Sequence, residues 1–317
     1  MAPVTGLGTT YNLPNYTGIL HQLTPSDTPF FSAIGGLTGG GQTNSIEFEW
    51  QTFDLRAAAQ NAKLEGADAP TDSERTRSNV SNICQIHHET VGVSYTKLAA
   101  TQVKAGINNS ESNPVTNELD WQVEQMLKQM VRDIEFSFIQ GTYAKPADNT
   151  TARKTRGLLS AITTNIIANG TAAALTEDMV LDLLQMAWDN GGIQESETAT
   201  LLTNSTQKRA LTKIFVSDKN YQETSRTVGG VRVQTIETDF GSLNIMLDRH
   251  MPADQIAVVS LEQCMPVYQE IPGKGHFFAE PLARTGAKDR TQLYGEVGLN
   301  FGNERTHGKI TGLTPPA

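Results

Sequence analysis

The sequence of 317 residues lacks the features that mark secreted, metal-binding or membrane-spanning proteins. Its two cysteines, Cys84 and Cys264, are far apart and do not form the paired spacing of a zinc site or a disulfide framework. No stretch approaches the roughly 20 apolar residues that cross a bilayer, and the first residues lack the basic and apolar segments of a signal peptide. We therefore expect reduced structural cysteines, synthesis in a cytoplasm and no membrane association.

The chain also has fewer basic than acidic residues. The chain has 25 Lys and Arg against 34 Asp and Glu, a net charge of −9, whereas nucleic-acid binding relies on clustered basic residues. One basic cluster falls in a polar loop: Lys145, Arg153, Lys154 and Arg156. We interpret it as a solvated turn, with a contact between subunits as the alternative.

Catalytic and metal-binding arrangements are missing as well. His87 and His88 would point to opposite faces of a strand, so they cannot ligate one metal from a shared surface. His250 has Asp248 and Asp239 nearby in sequence, but no serine or cysteine nucleophile motif accompanies it. These histidines are predicted to be structural.

Neither glycine-rich segment has the pattern of a nucleotide site. Gly35–Gly41 lacks the Gly-Lys-Ser/Thr ending of a phosphate loop, and Gly6–Gly8 does not continue as a dinucleotide fingerprint. Two carboxylate pairs are explained by helix-start electrostatics or by solvated loops: Glu177 with Asp178, and Glu195 with Glu197. We predict no catalytic, cofactor-binding or metal-binding residues and no enzymatic activity.

What the chain does contain is the composition of a folded protein rich in loops and strands, with 38% hydrophobic residues and 27 glycines. Its length predicts two closely packed lobes. The N-terminal part has little periodicity until Leu23–Gly36, where turn residues surround two phenylalanines. This pattern predicts an extended arm ending in a short docked helix, packed on a neighbouring chain or on its own core.

Two alternating segments follow the arm. Ile46, Phe48 and Trp50 alternate with polar residues, and a second alternation runs from about Asn82 to Tyr95. The residues between them are polar, charged and without an apolar face. Because such a long loop is unusual inside a compact domain, we interpret the whole unit as a projecting hairpin with a functional tip.

A long helix is predicted next, starting near Pro114 and stopping at Gly141. Its apolar stripe recurs at three- and four-residue spacing and reads as ordinary core: Leu119, Val123, Met126, Met130, Ile134 and Phe138. The opposite face is expected to carry its charged residues: Glu118, Glu124, Lys128, Arg132 and Glu135.

The remaining sequence alternates helices and strands and then returns to strands. A helix capped by Thr176 and ended by Gly191 opens a compact lobe with a mixed sheet. Three closing strands are predicted to join the long helix in the other lobe: Gly275–Leu282, Thr291–Phe301 and Gly308–Leu313.

Four segments, in this order along the chain, resemble the major capsid proteins of tailed bacteriophages with the Hong Kong 97 fold. They are Leu23–Gly36, the long helix leading into Arg156–Leu159, Thr238–Pro252 and Leu293–Leu313. The resemblance implies an α+β fold with five regions: an N-terminal arm at 1–44, an extended loop at 45–95, a peripheral domain with the spine helix at 96–170, an axial domain at 171–262 and peripheral strands at 263–317.

The implied function is self-assembly, as hexamers and pentamers, into an icosahedral head that encloses double-stranded DNA without sequence-specific binding. The implied partners are other copies of the chain, with portal, scaffolding and cement or decoration proteins, and the implied location is the virion after synthesis in a bacterial cytoplasm. Three alternatives remain: an encapsulin-like compartment shell, a tail or decoration protein, and an uncharacterised hydrolase.

Overall fold

A computed structural model describes residues 22–99, 115, 117–193, 199–214, 224–228 and 231–315. The helices within them are α1 Pro29–Ala33, α2 Tyr95–Ala99, α3 Glu118–Gln140, α4 Leu158–Ala161, α5 Glu177–Asp189 and α6 Ser205–Thr212. The strands are β1 Gly41–Thr43, β2 Glu47–Phe53, β3 Arg77–Ile83, β4 Gln85–Ser94, β5 Ile166–Ala173, β6 Ala199–Thr203, β7 Thr224–Val228, β8 Val231–Thr238, β9 Gly241–Leu247, β10 Ile256–Ser260, β11 Met265–Gln269, β12 Phe277–Pro281, β13 Lys288–Asn300 and β14 Gly308–Leu313.

A mixed seven-stranded sheet has the order β5-β14-β10-β6-β9-β8-β7. Its central strands β6 and β10 are buried along their whole length, as expected for strands covered on both faces. Adjacent residues point to opposite faces, so Leu202 joins a core containing α1 and α3 while Leu201 joins a second core under α5 and α6. The predicted mixed sheet with helices is confirmed.

Helix α5 begins and ends where the sequence predicts. The Thr176 hydroxyl accepts a hydrogen bond from the backbone N–H of Met179 at 3.3 Å, and Glu177 and Asp178 lie at the positive end of the helix. Gly191, with φ of 89°, follows the last turn.

A second sheet has the order β1-β11-β13-β12, and β4 also pairs with β13. The predicted alternation in β4 is present, since His87 and Val93 are buried while His88 is exposed. The glycine segment before β1 forms a tight turn rather than a phosphate loop. A Cβ atom on Gly40 would lie 2.2 Å from the carbonyl oxygen of Pro266, so only glycine fits there.

The long helix α3 has 23 residues, about 35 Å at ~1.5 Å per residue. It starts at Glu118, where the Asn117 side chain accepts hydrogen bonds from the next amides, so the predicted start at Pro114 is wrong. The predicted stop is confirmed at Gly141, where a Cβ atom would lie 2.7 Å from the Thr155 carbonyl oxygen. The predicted charged face is wrong for Glu135, which is 0% exposed.

Two strand pairings differ from the sequence-based expectation. The partner of β2 is β3, from Glu47 opposite Ile83 to Phe53 opposite Arg77, whereas the alternating segment β4 pairs with β13. β14 was expected among the peripheral strands, but it lies between β5 and β10 in the seven-stranded sheet. Alternation reveals that a strand exists but not which strand it joins.

The chain divides into two compact units. Among the described residues, the larger unit comprises 28–87, 131–193, 199–214, 224–228, 231–278 and 295–315, and it contains both cores. The smaller unit comprises 22–27, 88–99, 115, 117–130 and 279–294. No helix in the described part of the chain is both long enough and apolar enough to cross a membrane.

Candidate interaction site

The hairpin of β2 and β3 is held firmly at one end, which we call the hairpin base. Trp50 donates its indole N–H to the Gly302 carbonyl oxygen at 2.7 Å and packs edge-on against Phe301. Phe48 lies so close to Gly298 that a Cβ atom there would be 2.6 Å from the ring. The aromatic residues of the alternation thus fix the base to the strand and turn beneath it.

Asn82 completes the base from the neighbouring strand. Its side-chain amide donates to the carbonyl oxygens of Leu299 at 2.6 Å and Arg156 at 3.1 Å. Its side-chain oxygen accepts from the amides of Arg156 at 2.8 Å and Ile83 at 2.9 Å. Because Asn82 is 0% exposed, these bonds satisfy a buried polar side chain completely.

The other end of the hairpin, residues 54–76, is the hairpin tip. It contains neither helix nor strand, and every residue in it is exposed. Its Leu55 and Leu64 are 69% and 85% exposed, and Phe53 beside it is 67% exposed. Five acidic and three basic residues accompany them: Asp54, Glu65, Asp68, Asp72, Glu74, Arg56, Lys63 and Arg75. Large apolar side chains among charged ones, with no core to enter, are typical of a protein-binding segment.

A groove of about 860 Å³ lies beside the hairpin base, between Ser45–Glu47 and the loop at 145–153. Ile46 and Ile86 line it and are 47% and 43% exposed. The groove therefore places two partly exposed isoleucines among polar and charged residues next to the hairpin base.

The basic cluster supports this loop from within the chain. Lys145 forms an ion pair with Glu47, and the Lys145 ammonium lowers the pKa of that carboxyl. Arg153 forms an ion pair with Glu296 and donates to the Cys84 carbonyl oxygen at 2.9 Å. The interpretation as a solvated turn is wrong for Arg153.

The residues screened for chemistry lie in ordinary structural positions. Burial lowers the pKa of His87 to about 4, so its ring is neutral, and it raises the pKa of the Cys84 thiol to about 12. Cys264 is buried too, and burial raises the pKa of its thiol. His250 packs edge-on against Phe136. Among the described residues, no group of three His, Cys, Asp or Glu side chains could hold a metal ion.

Two of the predicted groups, the glycine segment Gly6–Gly8 and the pair Glu195 and Glu197, lie outside the residues that the structure describes. Asn204 accepts from the Gln207 amide at 3.0 Å as the N-cap of α6.

Sequence reasoning missed one buried pair, the carboxyl groups of Glu135 and Asp248. Glu135 follows Ile134 on the buried side of α3, and Asp248 directly follows strand β9. The sequence contains a signal for a buried Glu135, because this residue lies next to an apolar position of the helix. Its acidic side chain nevertheless predicts the charged face.

Comparisons with known proteins agree with the architecture. The model of the SU10 major capsid protein family matches residues 3–314. The chain belongs to this family. It is a phage major capsid protein that forms a shell from copies of itself, a structural protein of the virion rather than an enzyme. No curated protein sequence matches the chain.

The fold of this capsid protein is similar to several solved shell proteins. The capsid subunit of cyanophage A-1(L) has a TM-score of 0.67 and 13% identity over 98% of this chain and 100% of that one. The capsid of Myoviridae phage XM1 has a TM-score of 0.60 and 14% identity over 97% and 99%. The SrpI encapsulin of Synechococcus elongatus PCC 7942 has a TM-score of 0.61 and 12% identity over 95% and 92%. The predicted α+β fold of the Hong Kong 97 type is confirmed.

Proposed function

We propose that this capsid protein assembles as hexamers and pentamers into an icosahedral head that encloses double-stranded DNA. Membership of the major capsid protein family and the similarity to phage capsids support the proposal. A closed shell gains its stability from many copies of modest interfaces. The net charge of −9 fits a container that does not bind the phosphate backbone tightly.

We assign the regions of the chain to roles in that shell. In the arm at 1–44, α1 and β1 pack on the chain's own core, and the part before α1 reaches a neighbouring copy. The extended loop at 45–95 lies over another copy, and 171–262 forms the axial domain near the centre of a hexamer or pentamer. Residues 96–170 and 263–317 form the peripheral domain, except that β14 pairs with the axial strand β10.

The exposure of apolar side chains at the hairpin tip is the observation that supports the proposal most directly. A two-stranded hairpin is marginally stable in water, and this one leaves Phe53, Leu55 and Leu64 exposed at its far end. Contact with a second copy would bury these side chains at the cost of ordering the tip. We therefore place a subunit contact at residues 53–76.

Replacing the tip tests the proposal. A variant with residues 57–75 replaced by a Gly/Ser segment of equal length keeps Arg77 opposite Phe53, so β2 and β3 can still pair. We expect the free energy of unfolding to change by less than about 0.5 kcal/mol, since the tip has no buried contacts. Negative-stain electron microscopy and size-exclusion chromatography should show closed shells or rings for the native chain and dispersed subunits for the variant. Normal shells from the variant would refute the role of the tip.

An encapsulin-like compartment is the second candidate, because the SrpI encapsulin shares the fold. The two candidates differ in what the shell contains. Shells purified from the native host should contain DNA under our proposal, whereas a protein cargo without DNA would favour the compartment.

We further propose that the shell is built with a portal, with scaffolding proteins and with cement or decoration proteins, from subunits made in the cytoplasm of the bacterial host. Mass spectrometry of purified particles tests this partner list. Particles that contain this chain alone would remove the accessory proteins from it.

A further inference from the structure

The groove beside the hairpin base is already formed in the single chain. It is lined by residues 45–47, by Ile83 and Ile86, and by the loop at 145–153. The Lys145 ammonium pairs with the Glu47 carboxylate, which connects the loop to the first strand of the hairpin. Within the same loop, the Arg153 guanidinium donates to the Cys84 carbonyl oxygen at 2.9 Å. These bonds fix the loop to the hairpin base on both sides of the groove.

The loop at 145–153 is also closed by its own hydrogen bonds. The backbones of Ala144 and Lys154 exchange two hydrogen bonds, of 3.1 and 3.0 Å, at its ends. Inside the loop, Asp148 Oδ1 accepts from the Thr150 amide at 3.1 Å and from the Thr150 hydroxyl at 2.6 Å. Because the groove is ordered before a partner arrives, binding there loses little conformational entropy.

The side chains that line the groove define what it can bind. Ile46 and Ile86 are 47% and 43% exposed. The formal charges of the lining residues cancel: Glu47, Lys145, Asp148 and Arg153. Nucleic acid needs an excess of positive charge, which this groove does not have. Half-exposed apolar side chains among charges of both signs instead favour a protein segment of similar composition.

The hairpin tip presents such a segment on a tight turn. The Ala67 amide donates to the Leu64 carbonyl oxygen at 3.2 Å, and Gly66 within the turn has φ of 77°, a conformation that glycine adopts without strain. The turn leaves Leu64 85% exposed, with Lys63 and Glu65 on either side of it. A leucine between two opposite charges matches the composition of the groove.

The tip and the groove of one chain lie at opposite ends of the hairpin. Strands β2 and β3 pair without interruption from Glu47 opposite Ile83 to Phe53 opposite Arg77. Six steps of ~3.3 Å separate Glu47, which lines the groove, from Phe53, so the two ends are about 20 Å apart. Every residue of the tip is exposed, so the tip does not fold back onto its own groove. A groove that receives the tip therefore belongs to another copy.

The tip has the size of one side of a stable interface. It comprises 23 residues, all exposed, and a protein interface of standard size involves roughly 20 to 30 residues on each side. Phe53 and Leu55, at 67% and 69% exposure, add apolar area to that of Leu64. The tip is thus large enough to bind a second copy.

We propose that the tip of one copy docks in the groove of the next, with Leu64 packed against Ile46 and Ile86. This inference rests on the proposed function, because it names the surface that receives the tip in the shell. The two surfaces differ, so the contact is head-to-tail and repeats from copy to copy until a ring closes. One kind of contact can therefore build both hexamers and pentamers.

Chemical crosslinking of assembled particles tests the pairing. A chain with Leu64→Cys and Ile86→Cys, treated with a short bis-maleimide reagent, should give a covalent series of copies that ends at five and six on a denaturing gel. The native cysteines, Cys84 and Cys264, are 0% and 4% exposed, so the native chain should give no links. The matched control carries Leu64→Cys and Leu247→Cys. Leu247 is 46% exposed and lies outside the groove, so the series should be lost.

A groove variant gives a second readout that needs no crosslinking. Ile46→Ser with Ile86→Ser removes both apolar side chains from the groove without changing its charge. Since each is about half exposed, the subunit should still fold, as circular dichroism checks, while electron microscopy should show the loss of closed shells. Normal shells from the folded variant would overturn the proposal.

The crosslinking result can overturn the pairing in three ways: no links in intact shells, equal linking by the control, or links confined to one chain. A series that forms from Leu23→Cys to Ile86→Cys, and not from Leu64→Cys, would assign the groove to the segment before α1 and would also reject the pairing. Intact shells without the expected link leave the proposed function standing. Absence of any shell or ring from the native chain would instead count against the proposed function itself.

Discussion

The hairpin base and the hairpin tip belong to one supersecondary element but are stabilised in opposite ways. At the base, Trp50 and Asn82 make hydrogen bonds to the backbone of the core, and Asn82 is fully buried. At the tip, residues 54–76 are all exposed, and the side chains of Leu55 and Leu64 face solvent. The base is held by the folded chain, whereas we propose that the apolar side chains of the tip are buried by a second copy.

The difference explains how a shell subunit can be stable before it assembles. A lone two-stranded hairpin is marginal in water, so the base relies on the core beneath it. The exposed tip contributes little to the stability of the subunit, and under our proposal its apolar side chains are used in assembly. Folding and assembly can therefore be perturbed separately.

The largest expected effect is at the base. Asn82→Ala leaves the amides of Ile83 and Arg156 and the carbonyl oxygens of Arg156 and Leu299 without their partner. We expect the free energy of unfolding to fall by about 3 to 5 kcal/mol. Chemical denaturation of the subunit measures it, and Asn79→Ala, on the same strand but exposed, should cost less than about 0.5 kcal/mol. Equal losses would show that the base is not specially anchored.

The second largest effect on stability is expected in acid, at His87 of strand β4. Because burial lowers the pKa of His87 from 6.5 to about 4, its contribution is complete above pH 6.5 and is lost as the pH falls towards 4. The loss should reach about 3 kcal/mol, from ~1.4 kcal/mol per pKa unit. Denaturation at several pH values should show a smaller acid dependence in His87→Gln than in the native chain, and His88→Gln at the exposed neighbouring position is the control.

The smallest effect on stability is expected at the tip. The double substitution of Leu55 and Leu64 by Ser should change the free energy of unfolding by less than about 0.5 kcal/mol, since both side chains are exposed. Assembly should nevertheless fail or need higher protein concentration, as read by light scattering and electron microscopy. If the variant unfolds easily, the tip has a folding role, and the contrast with the base disappears.

Local patterns predicted many elements of the fold because each pattern has its own physical cause. The alternation around Phe48 and Trp50 predicted β2, the cap and acidic start predicted α5, and Gly141 predicted the end of α3. Pairing partners were harder to predict. Strand β3 has the sequence RSNVSNI, which lacks a clear apolar alternation, so β4 was grouped with the hairpin in its place.

The interaction site was predicted only in outline. A long polar segment between strands predicted an exposed tip, and the resemblance to phage capsid proteins supplied its role. Glu135 was placed on the wrong face because a helical wheel shows the direction of a side chain but not its partner. The amides of Phe30 and Phe31, which donate to Glu135, come from a distant part of the sequence and reach it only in the folded chain.

The position of β14 also determines when, during synthesis of the chain, the seven-stranded sheet can be completed. Ile310 pairs with Ile167 on one side and Ile256 on the other, so β14 connects β5 to the rest of the seven-stranded sheet. A ribosome-bound chain that has not yet exposed residue 308 has no strand to join them. Because this sheet closes through contacts distant in sequence, its completion is slow and must wait until β14 has been synthesised. A chain that stops before β14 therefore cannot complete the seven-stranded sheet.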